Sequence, residues 1–366
     1  MGLTSGTLLV GIVLGTVVMF ALSVWLWPRL ARSGWNWMLG RAGLIVFVQV
    51  LLFASVALAA NRSFLIYNSW ADLAGTKRQP TAAPGGAAVQ VLGRQAPEVP
   101  GGSNPRSGGV VEKVVVHGER SRTAAQAYVY LPPEYFQKGA AERRKFPAAI
   151  VLTGYPGAAE NLVKGLRYPK TAWTQVKQKK MQPMILVMMR PTIATANTQC
   201  IDVPGGPQSE AFFGTDVTKA ISSFYRVGSS PRNWGIVGDS TGGYCALKMA
   251  LQHPETYAAG VGLSADYKPE IDKDSGDLFH GNKNEEKRSD LLWHLDHRPQ
   301  GASSFLVTTS LQGESNYKAT QQFIKKVKSP ARVSSITLDR GGHNFNTWRR
   351  EIPPSLRWLS GRLVAE

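Results

Sequence analysis

Two long apolar runs dominate the amino-terminal part of the chain. Residues 8–27 form an uncharged run of 20 residues, and residues 42–60 form a run of 19 that is broken only by Gln49 and Ser55. At a rise of about 1.5 Å per residue, each run matches a hydrocarbon core of about 30 Å. We therefore predict two transmembrane helices in a membrane anchor at residues 1–74.

The orientation of these helices follows from the charges around them. The hairpin at 28–41 has no acidic residue and contains three arginines: Arg29, Arg32 and Arg41. Residues 1–7 have neither Lys nor Arg, which also argues against a cleavable signal peptide. Because cytoplasmic loops are enriched in Lys and Arg, we expect the hairpin inside and the carboxy-terminal domain outside the cell membrane. Three basic residues just beyond the second run, Arg62, Lys77 and Arg78, count against this orientation.

The remaining hydrophobic pattern predicts a flexible linker followed by an α/β domain. Residues 75–110 are rich in Pro and Gly and lack periodicity, as in a tether. From residue 111, strand-length apolar runs alternate with helical patterns, starting with an antiparallel pair at 111–116 and 127–131. This rhythm predicts about eight strands in a mostly parallel sheet with helices on both faces over residues 111–366.

The most informative motif is Gly-Asp-Ser-Thr-Gly-Gly at 238–243. It follows an apolar run at 233–237 and precedes a helical pattern at 244–253, which is the strand, turn and helix of a nucleophile elbow. The glycines let neighbouring backbone pass close to the turn while the serine hydroxyl stands clear. Ser240 is therefore the predicted nucleophile. The alternative is a strand-to-helix turn with a capping serine.

A serine nucleophile needs a base, and His343 is the best candidate. It lies in Gly-Gly-His-Asn just after a β-type run at 333–338, and in this architecture the histidine follows the serine and the acid along the chain. The alternative is a histidine on a surface loop. The other histidines fit less well, since His117 precedes Ser240 in an early strand and His253 ends the elbow helix.

Glu314 is the predicted acid that orients the histidine. It is the one carboxylate in the loop 310–316, which follows the predicted strand 305–309. The alternative is a solvated charge favoured by the dipole of the next helix. Three aspartates also stay open as alternatives: Asp290, Asp296 and Asp339.

Acyl transfer through a serine also requires donors for the oxyanion. The backbone amide of Thr241, directly after the nucleophile, is one expected donor. The other is the amide of Tyr155, in the Gly-Tyr-Pro-Gly loop after an apolar run at 148–153. The same four residues also make a common structural turn.

These motifs resemble the branch of the α/β-hydrolases that holds esterase D (S-formylglutathione hydrolase) and the mycobacterial antigen 85 mycolyltransferases. The resemblance covers 111–366 and rests on the following stretches: Leu152 to Tyr155, Gly238 to Gly243, His253-Pro254, Leu263 to Ala265, and Gly341 to Asn344 with Trp348. It implies an acyl-enzyme mechanism on ester substrates with Ser240, Glu314 and His343 as nucleophile, acid and base. Esterase D-like members have an aspartate where this chain has Asn316.

The two cysteines and the net charge bear on the compartment and the partners of the protein. The two cysteines, Cys200 and Cys245, both fall near the predicted site and are candidates for a disulfide in an oxidising compartment, with two buried thiols as the alternative. Two cysteines without nearby histidines do not make a metal site. The net charge of +17 is not accompanied by a nucleic-acid motif, so anionic lipids or wall polymers are the expected partners for it.

Taken as a whole, the sequence predicts a membrane-anchored serine esterase or acyltransferase with no cofactor. Its partners would be an acyl ester and a lipid or glycan acceptor, at the outer face of the membrane. The alternative is a non-catalytic envelope protein that uses the hydrolase fold to bind a glycan, a lipid or a partner protein.

Overall fold

The computed structural model describes residues 2–3, 5–31, 34–64, 67, 70–74, 87–193 and 197–366. The chain divides into two compact units, Met1–Lys77 and Arg78–Glu366. The division falls inside the range 75–110 that the sequence predicts as a linker. Arg32 of the basic hairpin and residues 75–86 of the predicted linker lie outside the described residues.

The first unit contains two long helices, α1 (Gly6–Leu30) and α2 (Trp35–Phe64), and a short helix α3 (Trp70–Leu73). The apolar windows of α1 and α2 have a mean hydropathy of 2.5 and are not buried inside the protein. Thr16 Oγ1 on α1 lies 3.1 Å from Ser55 Oγ on α2. Hydroxyl contacts of this kind join helices in apolar surroundings. Both helices are long and apolar enough to cross a membrane.

The second unit is built on a nine-stranded sheet in the order β1-β2-β3-β5-β4-β6-β7-β8-β9. The strands are β1 (Val89–Gln95), β2 (Val110–His117), β3 (Ala124–Leu131), β4 (Ala148–Leu152), β5 (Ile185–Met189), β6 (Trp234–Asp239), β7 (Ala259–Leu263), β8 (Ser304–Gln312) and β9 (Arg332–Arg340). The pairs from β1 to β5 along this order are antiparallel, and those from β5 to β9 are parallel. The predicted α/β fold with a mostly parallel sheet is confirmed.

Helices cover both faces of this sheet. They are α4 (Pro105–Gly108), α5 (Tyr168–Lys177), α6 (Ser209–Ala211), α7 (Val217–Phe224), α8 (Thr241–Gln252), α9 (Lys283–Ser289), α10 (Leu291–His297), α11 (Tyr317–Lys326) and α12 (Phe345–Ser360). Successive residues of β4 alternate between two buried clusters, with Ile150 in one and Val151 in the other. A strand buried on both faces reads as a continuous apolar run, which explains why β4 to β7 were predictable from the sequence.

One strand contradicts the predicted linker. β1 lies within 75–110 and pairs antiparallel with β2, Val91 opposite Val114. The prediction of a structureless tether is therefore wrong for Val89–Gln95, and the sheet has nine strands rather than about eight. The physical reason is that β1 is an edge strand with Val89 alone fully buried, so its hydrophobic signal is weak beside the surrounding Pro and Gly.

Candidate active site

Ser240 lies on a sharp turn between β6 and α8. Its backbone has φ 54° and ψ −125°, in a region that non-glycine residues rarely adopt. The turn closes so tightly that a Cβ on Gly238 would lie 2.2 Å from the Gly242 carbonyl oxygen. The local sequence therefore produces the strained elbow that lifts the serine hydroxyl above the sheet.

His343 lies in the loop between β9 and α12, directly against the serine. Its Nε2 is 2.8 Å from Ser240 Oγ. The ring packs edge to face on Trp348, with ring centres 5.2 Å apart and planes at 84°. The Asn344 side chain caps α12 by accepting from the Asn346 and Thr347 amides, at 3.0 and 3.3 Å. These contacts place the imidazole where it can take the hydroxyl proton.

Glu314 lies in the loop after β8 and lines the same pocket as Ser240 and His343. Its Oε1 accepts a short hydrogen bond from Ser264 Oγ, which also accepts from Trp348 Nε1 at 2.8 Å. Its Oε2 is buried, and no described residue forms a hydrogen bond with it. Among the described residues, no hydrogen bond reaches His343 Nδ1. The structure thus brings Glu314 to the site but bonds it to Ser264, and its role as orienting acid stays a prediction.

A second carboxylate, Asp266, also lines this pocket. Its pKa is raised by burial and by the negative charge of Glu270, while the charge that His343 can carry lowers it. Asp266 is therefore close enough to His343 to interact with it. Asp266 was not predicted as a site residue, although it follows the carboxyl end of β7, the edge where open α/β sheets gather their functional groups.

The three aspartates that the sequence leaves open as alternative acids are not among the described residues that line this pocket. Asp290 caps α10 by accepting from the Leu292 and Trp293 amides at 2.9 and 3.0 Å. Asp296 pairs with Lys326. Asp339 lies within β9.

The expected oxyanion donors flank the serine. Tyr155 and Thr241 both line the pocket. Thr241 is the first residue of α8, and the first N–H groups of a helix have no acceptor within it. The loop that carries Tyr155 lies against the elbow, because a Cβ on Gly154 would be 2.9 Å from Ser240 Cβ. Both backbone amides therefore belong to segments that border the Ser240 hydroxyl.

Asp239, the residue before Ser240, joins this loop to the elbow. Its Oδ2 accepts from the Gly154 amide at 2.9 Å, while its buried Oδ1 has no hydrogen-bond partner within the described ranges. Burial raises the pKa of Asp239 to about 7. This residue was not among the predicted site residues, although its position at the end of an apolar strand indicates that its carboxyl is buried.

The elbow helix α8 is fixed from behind by covalent and ionic contacts. Cys245 on α8 forms a disulfide with Cys200, with Cα atoms 5.6 Å apart. The fully buried Lys248 donates from Nζ to the Cys200 carbonyl oxygen at 2.7 Å and to Glu210 Oε2 at 2.6 Å. Burial alone would raise the pKa of Glu210, but Lys248, His253 and Arg288 hold it well below its usual range.

With this geometry established, comparisons with known proteins identify the class. Residues 119–359 match the sequence model of a protein family described as "Putative esterase", which is more than half of the chain. The chain belongs to this esterase family. The membership supports ester hydrolysis as its general class of reaction.

One relative and several solved structures are similar to this chain. A Corynebacterium glutamicum protein described as uncharacterized is 25% identical over 252 residues, 65% of this chain and 58% of that protein. This chain therefore matches less than two thirds of that relative's length.

The solved structures share the α/β-hydrolase fold. An S-formylglutathione hydrolase from Agrobacterium tumefaciens has a TM-score of 0.60 at 16% identity and covers 75% of this chain and 99% of its own. A ferulic acid esterase has a TM-score of 0.58 at 17% identity, covering 69% of this chain and 97% of its own. A fluorophosphonate-binding serine hydrolase from Staphylococcus aureus has a TM-score of 0.53 at 17% identity, covering 68% and 97%.

Proposed function

We propose that this protein is a membrane-anchored serine esterase that works through an acyl-enzyme on Ser240. The observation that carries the proposal is the 2.8 Å contact between Ser240 Oγ and His343 Nε2 at a strained elbow. A hydroxyl hydrogen-bonded to an imidazole at such a turn is the arrangement that activates serine for attack on an acyl carbon.

The reaction follows from this geometry in two halves. His343 Nε2 takes the proton from Ser240 Oγ as the oxygen attacks the ester carbonyl. The negative charge that forms on the carbonyl oxygen is held by the Thr241 and Tyr155 amides. The intermediate then expels the alcohol, which receives the proton from His343. Water, or a hydroxyl of a lipid or glycan acceptor, releases the acyl group by the reverse sequence.

Glu314 is the proposed acid that orients His343. Its Oε2 and His343 Nδ1 both lack a hydrogen-bond partner among the described residues, and both side chains border one pocket. The proposal requires the Glu314 carboxylate to exchange its hydrogen bond with Ser264 for one with His343 Nδ1. Catalytic hydrogen bonds are often long before substrate binds and tighten in the complex.

We also propose that the esterase domain faces the outside of the cell membrane. The two apolar helices are long enough for an anchor, and the arginine-containing hairpin between them favours a cytoplasmic turn. The Cys200–Cys245 disulfide is compatible with an oxidising compartment. The domain would then meet esters of the envelope.

The test uses the full chain in detergent with a fluorophosphonate probe and neutral p-nitrophenyl esters. We expect labelling of Ser240 in the wild type and none in Ser240→Ala, together with a loss of turnover of about 10³-fold or more. Ser222→Ala, which removes a hydroxyl outside the pocket, serves as the matched control. Folded wild-type protein that takes no label and turns over no ester contradicts the proposal.

One observation favours the non-catalytic alternative. Glu314 bonds Ser264 and not the imidazole, as it would in a hydrolase fold that has become a binding protein. In that case wild type, Ser240→Ala and Glu314→Gln would give equal, background rates with every ester. A wild-type rate well above both variants excludes this alternative.

A further inference from the structure

The pocket around Ser240 and His343 has a charge opposite to that of the chain. The protein carries 42 Lys and Arg against 25 Asp and Glu. Five acidic side chains border this one pocket: Asp266, Glu270, Asp272, Asp274 and Glu314. No Lys or Arg is found among its described lining residues. Ser240 and His343 mark this pocket as the candidate active site. The negative charge of the pocket bears only on which ligands it prefers.

In the part of the chain that the structure describes, these five carboxylates form no ion pair with Lys or Arg. Elsewhere in the domain acids pair with bases, as Glu210 does with Lys248 and Glu112 with Arg94. Among the described residues, none of the five pocket acids lies within 4.0 Å of a Lys or Arg nitrogen. Compensation within the group is uneven: burial and the charge of Glu270 raise the pKa of Asp266, whereas the Ser275 and Asp274 amides and the charge of Lys273 lower the pKa of Asp272. A cationic ligand would supply the missing partner.

The acidic segment is held in place relative to the nucleophile. The Glu270 amide donates to Gln199 Oε1 at 2.8 Å, and the Asn197 amide donates to the Asp274 carbonyl oxygen at 3.1 Å. Gln199 directly precedes Cys200, whose disulfide leads to the elbow helix. Within the segment, Asp272 Oδ1 accepts from the Asp274 and Ser275 amides at 2.9 and 2.8 Å. These contacts fix the backbone that carries the three acids and the side chain of Asp272.

The pocket continues past Asp266 and Glu270 into a second pocket that borders both of them. Its lining combines the apolar side chains of Pro269, Leu292 and Ala319 with the charged side chains of Lys268 and Asp290. A ligand that crosses from one pocket to the other would meet uncompensated negative charge beside the serine, and beyond it a surface that is apolar in part and carries charges of both signs. The arrangement suits an ester with a positively charged group near the scissile bond.

We propose that the substrate ester carries a positively charged amine near its carbonyl and that Glu270, Asp272 and Asp274 select for it. The inference rests on the proposed esterase function. The ammonium group belongs either to the acyl part, as in an aminoacyl ester, or to the alcohol part, as in an amino-alcohol ester. In a cleft lined by one sign of charge, the field raises the local concentration of the oppositely charged ligand and stabilises it when bound.

The experiment measures turnover of paired esters by the full chain in detergent. The two esters of a pair differ in one atom, which is a quaternary nitrogen in one and a carbon in the other. The acyl-side pair is betaine ethyl ester against ethyl 3,3-dimethylbutanoate, and the alcohol-side pair is acetylcholine against 3,3-dimethylbutyl acetate. Acid release is followed by titration at constant pH. We expect the charged member of one pair to be preferred in kcat/KM, and the pair that shows this identifies which part of the ester carries the amine.

The variant Glu270→Gln/Asp272→Asn/Asp274→Asn separates pocket charge from the intrinsic reactivity of the esters. We expect its preference for the charged ester to fall about tenfold or more below that of the wild type. Asn at 272 keeps an oxygen that can accept the two turn amides. The matched control, Glu98→Gln/Glu119→Gln/Glu255→Gln, changes the net charge equally outside the pocket and should keep the wild-type preference.

A salt series on the wild type gives a second measurement without any variant. Raising the ionic strength from about 0.01 M to about 1 M shortens the screening length from about 30 Å to about 3 Å, so the preference should shrink. An equal preference in wild type and pocket variant, unaffected by salt, overturns the inference while neutral-ester turnover by Ser240 still supports the esterase. Absence of turnover with every ester overturns both.

Discussion

The Nε2 atom of His343 lies 2.8 Å from Ser240 Oγ, although 103 positions separate the two residues along the chain. Ser240 directly follows the central strand β6, and His343 follows the edge strand β9, which is the third strand from β6 in the sheet. The loop after β9 therefore reaches back across the carboxyl edge of the sheet. Packing of the ring on Trp348 holds it there.

The first prediction concerns the acid. Glu314→Gln should lower kcat by about 10²- to 10⁴-fold, because an amide does not stabilise the imidazolium that forms during attack. Glu314→Asp, which keeps the carboxylate, should lose less activity than Glu314→Gln, a difference that a structural defect alone would not produce. Steady-state kinetics of both variants with a neutral ester measure this difference.

Asp266→Asn is the matched control for this prediction. Asp266 borders the same pocket and interacts with His343, but it lies after β7 and not on the Glu314 loop. We expect it to lower kcat by less than about tenfold, as for a charge acting at a distance. The reverse order of effects would assign the acid role to Asp266.

The second prediction concerns the close approach of the Gly154 loop to the elbow. Gly154→Ala adds a Cβ that would lie 2.9 Å from Ser240 Cβ, so the loop must shift and carry the Tyr155 amide with it. Loss of one oxyanion donor costs about 10²- to 10³-fold in kcat. Gly93→Ala, whose Cβ meets no atom within 4 Å, should leave kcat unchanged. Equal rates in both variants would remove the Tyr155 amide from the mechanism.

The third prediction concerns the disulfide behind the elbow. The Cys200–Cys245 bond closes a loop with a sequence separation of 45. Cross-links over loops of this size stabilise proteins by about 3 to 4 kcal/mol through the reduced entropy of the unfolded chain. Reductant should lower the thermal midpoint of the wild type and leave that of Cys200→Ala/Cys245→Ala unchanged. A wild-type midpoint that ignores reductant argues against the bond.

The fourth prediction follows from the buried Asp239. Its pKa is raised by burial from 3.8 to about 7, so between these pH values the folded protein binds more protons than the unfolded chain. The stability that this group contributes is therefore present below about pH 3.8 and is lost as the pH rises to about 7, by up to about 1.4 kcal/mol per pH unit. Asp239→Asn, which does not titrate, should flatten the stability profile in that range.

Denaturation of the full chain in detergent from pH 4 to pH 8 measures this profile. Glu351→Gln is the comparison, because burial raises the pKa of Glu351 to about 8. The stability of that variant should still fall with rising pH through the titration of Asp239. The further fall that extends to about pH 8 should be absent. A profile of Asp239→Asn that matches the wild type would show that the carboxyl is ionised throughout.

The strained turn at Ser240 was predictable from a few contiguous residues. A strained turn after an apolar strand requires glycines at fixed positions, so Gly-Asp-Ser-Thr-Gly-Gly indicates a nucleophile wherever it occurs in this context. The apolar runs of α1 and α2 were equally local, since length and composition alone decide whether a helix can span a membrane. The central strands were predictable from the sequence because burial on both faces leaves no polar positions in them.

Only the tertiary structure decided which partners these residues have. The carboxylate of Glu314 contacts Ser264 and lines the pocket that contains Ser240 and His343. Which hydrogen bond it forms depends on side-chain positions to within a few ångströms. The contact of Asp239 with Gly154 and the gathering of five acids at one pocket join segments far apart in the chain. Sequence periodicity reports which face of an element is buried, whereas distances between loops arise from the packing of the whole sheet.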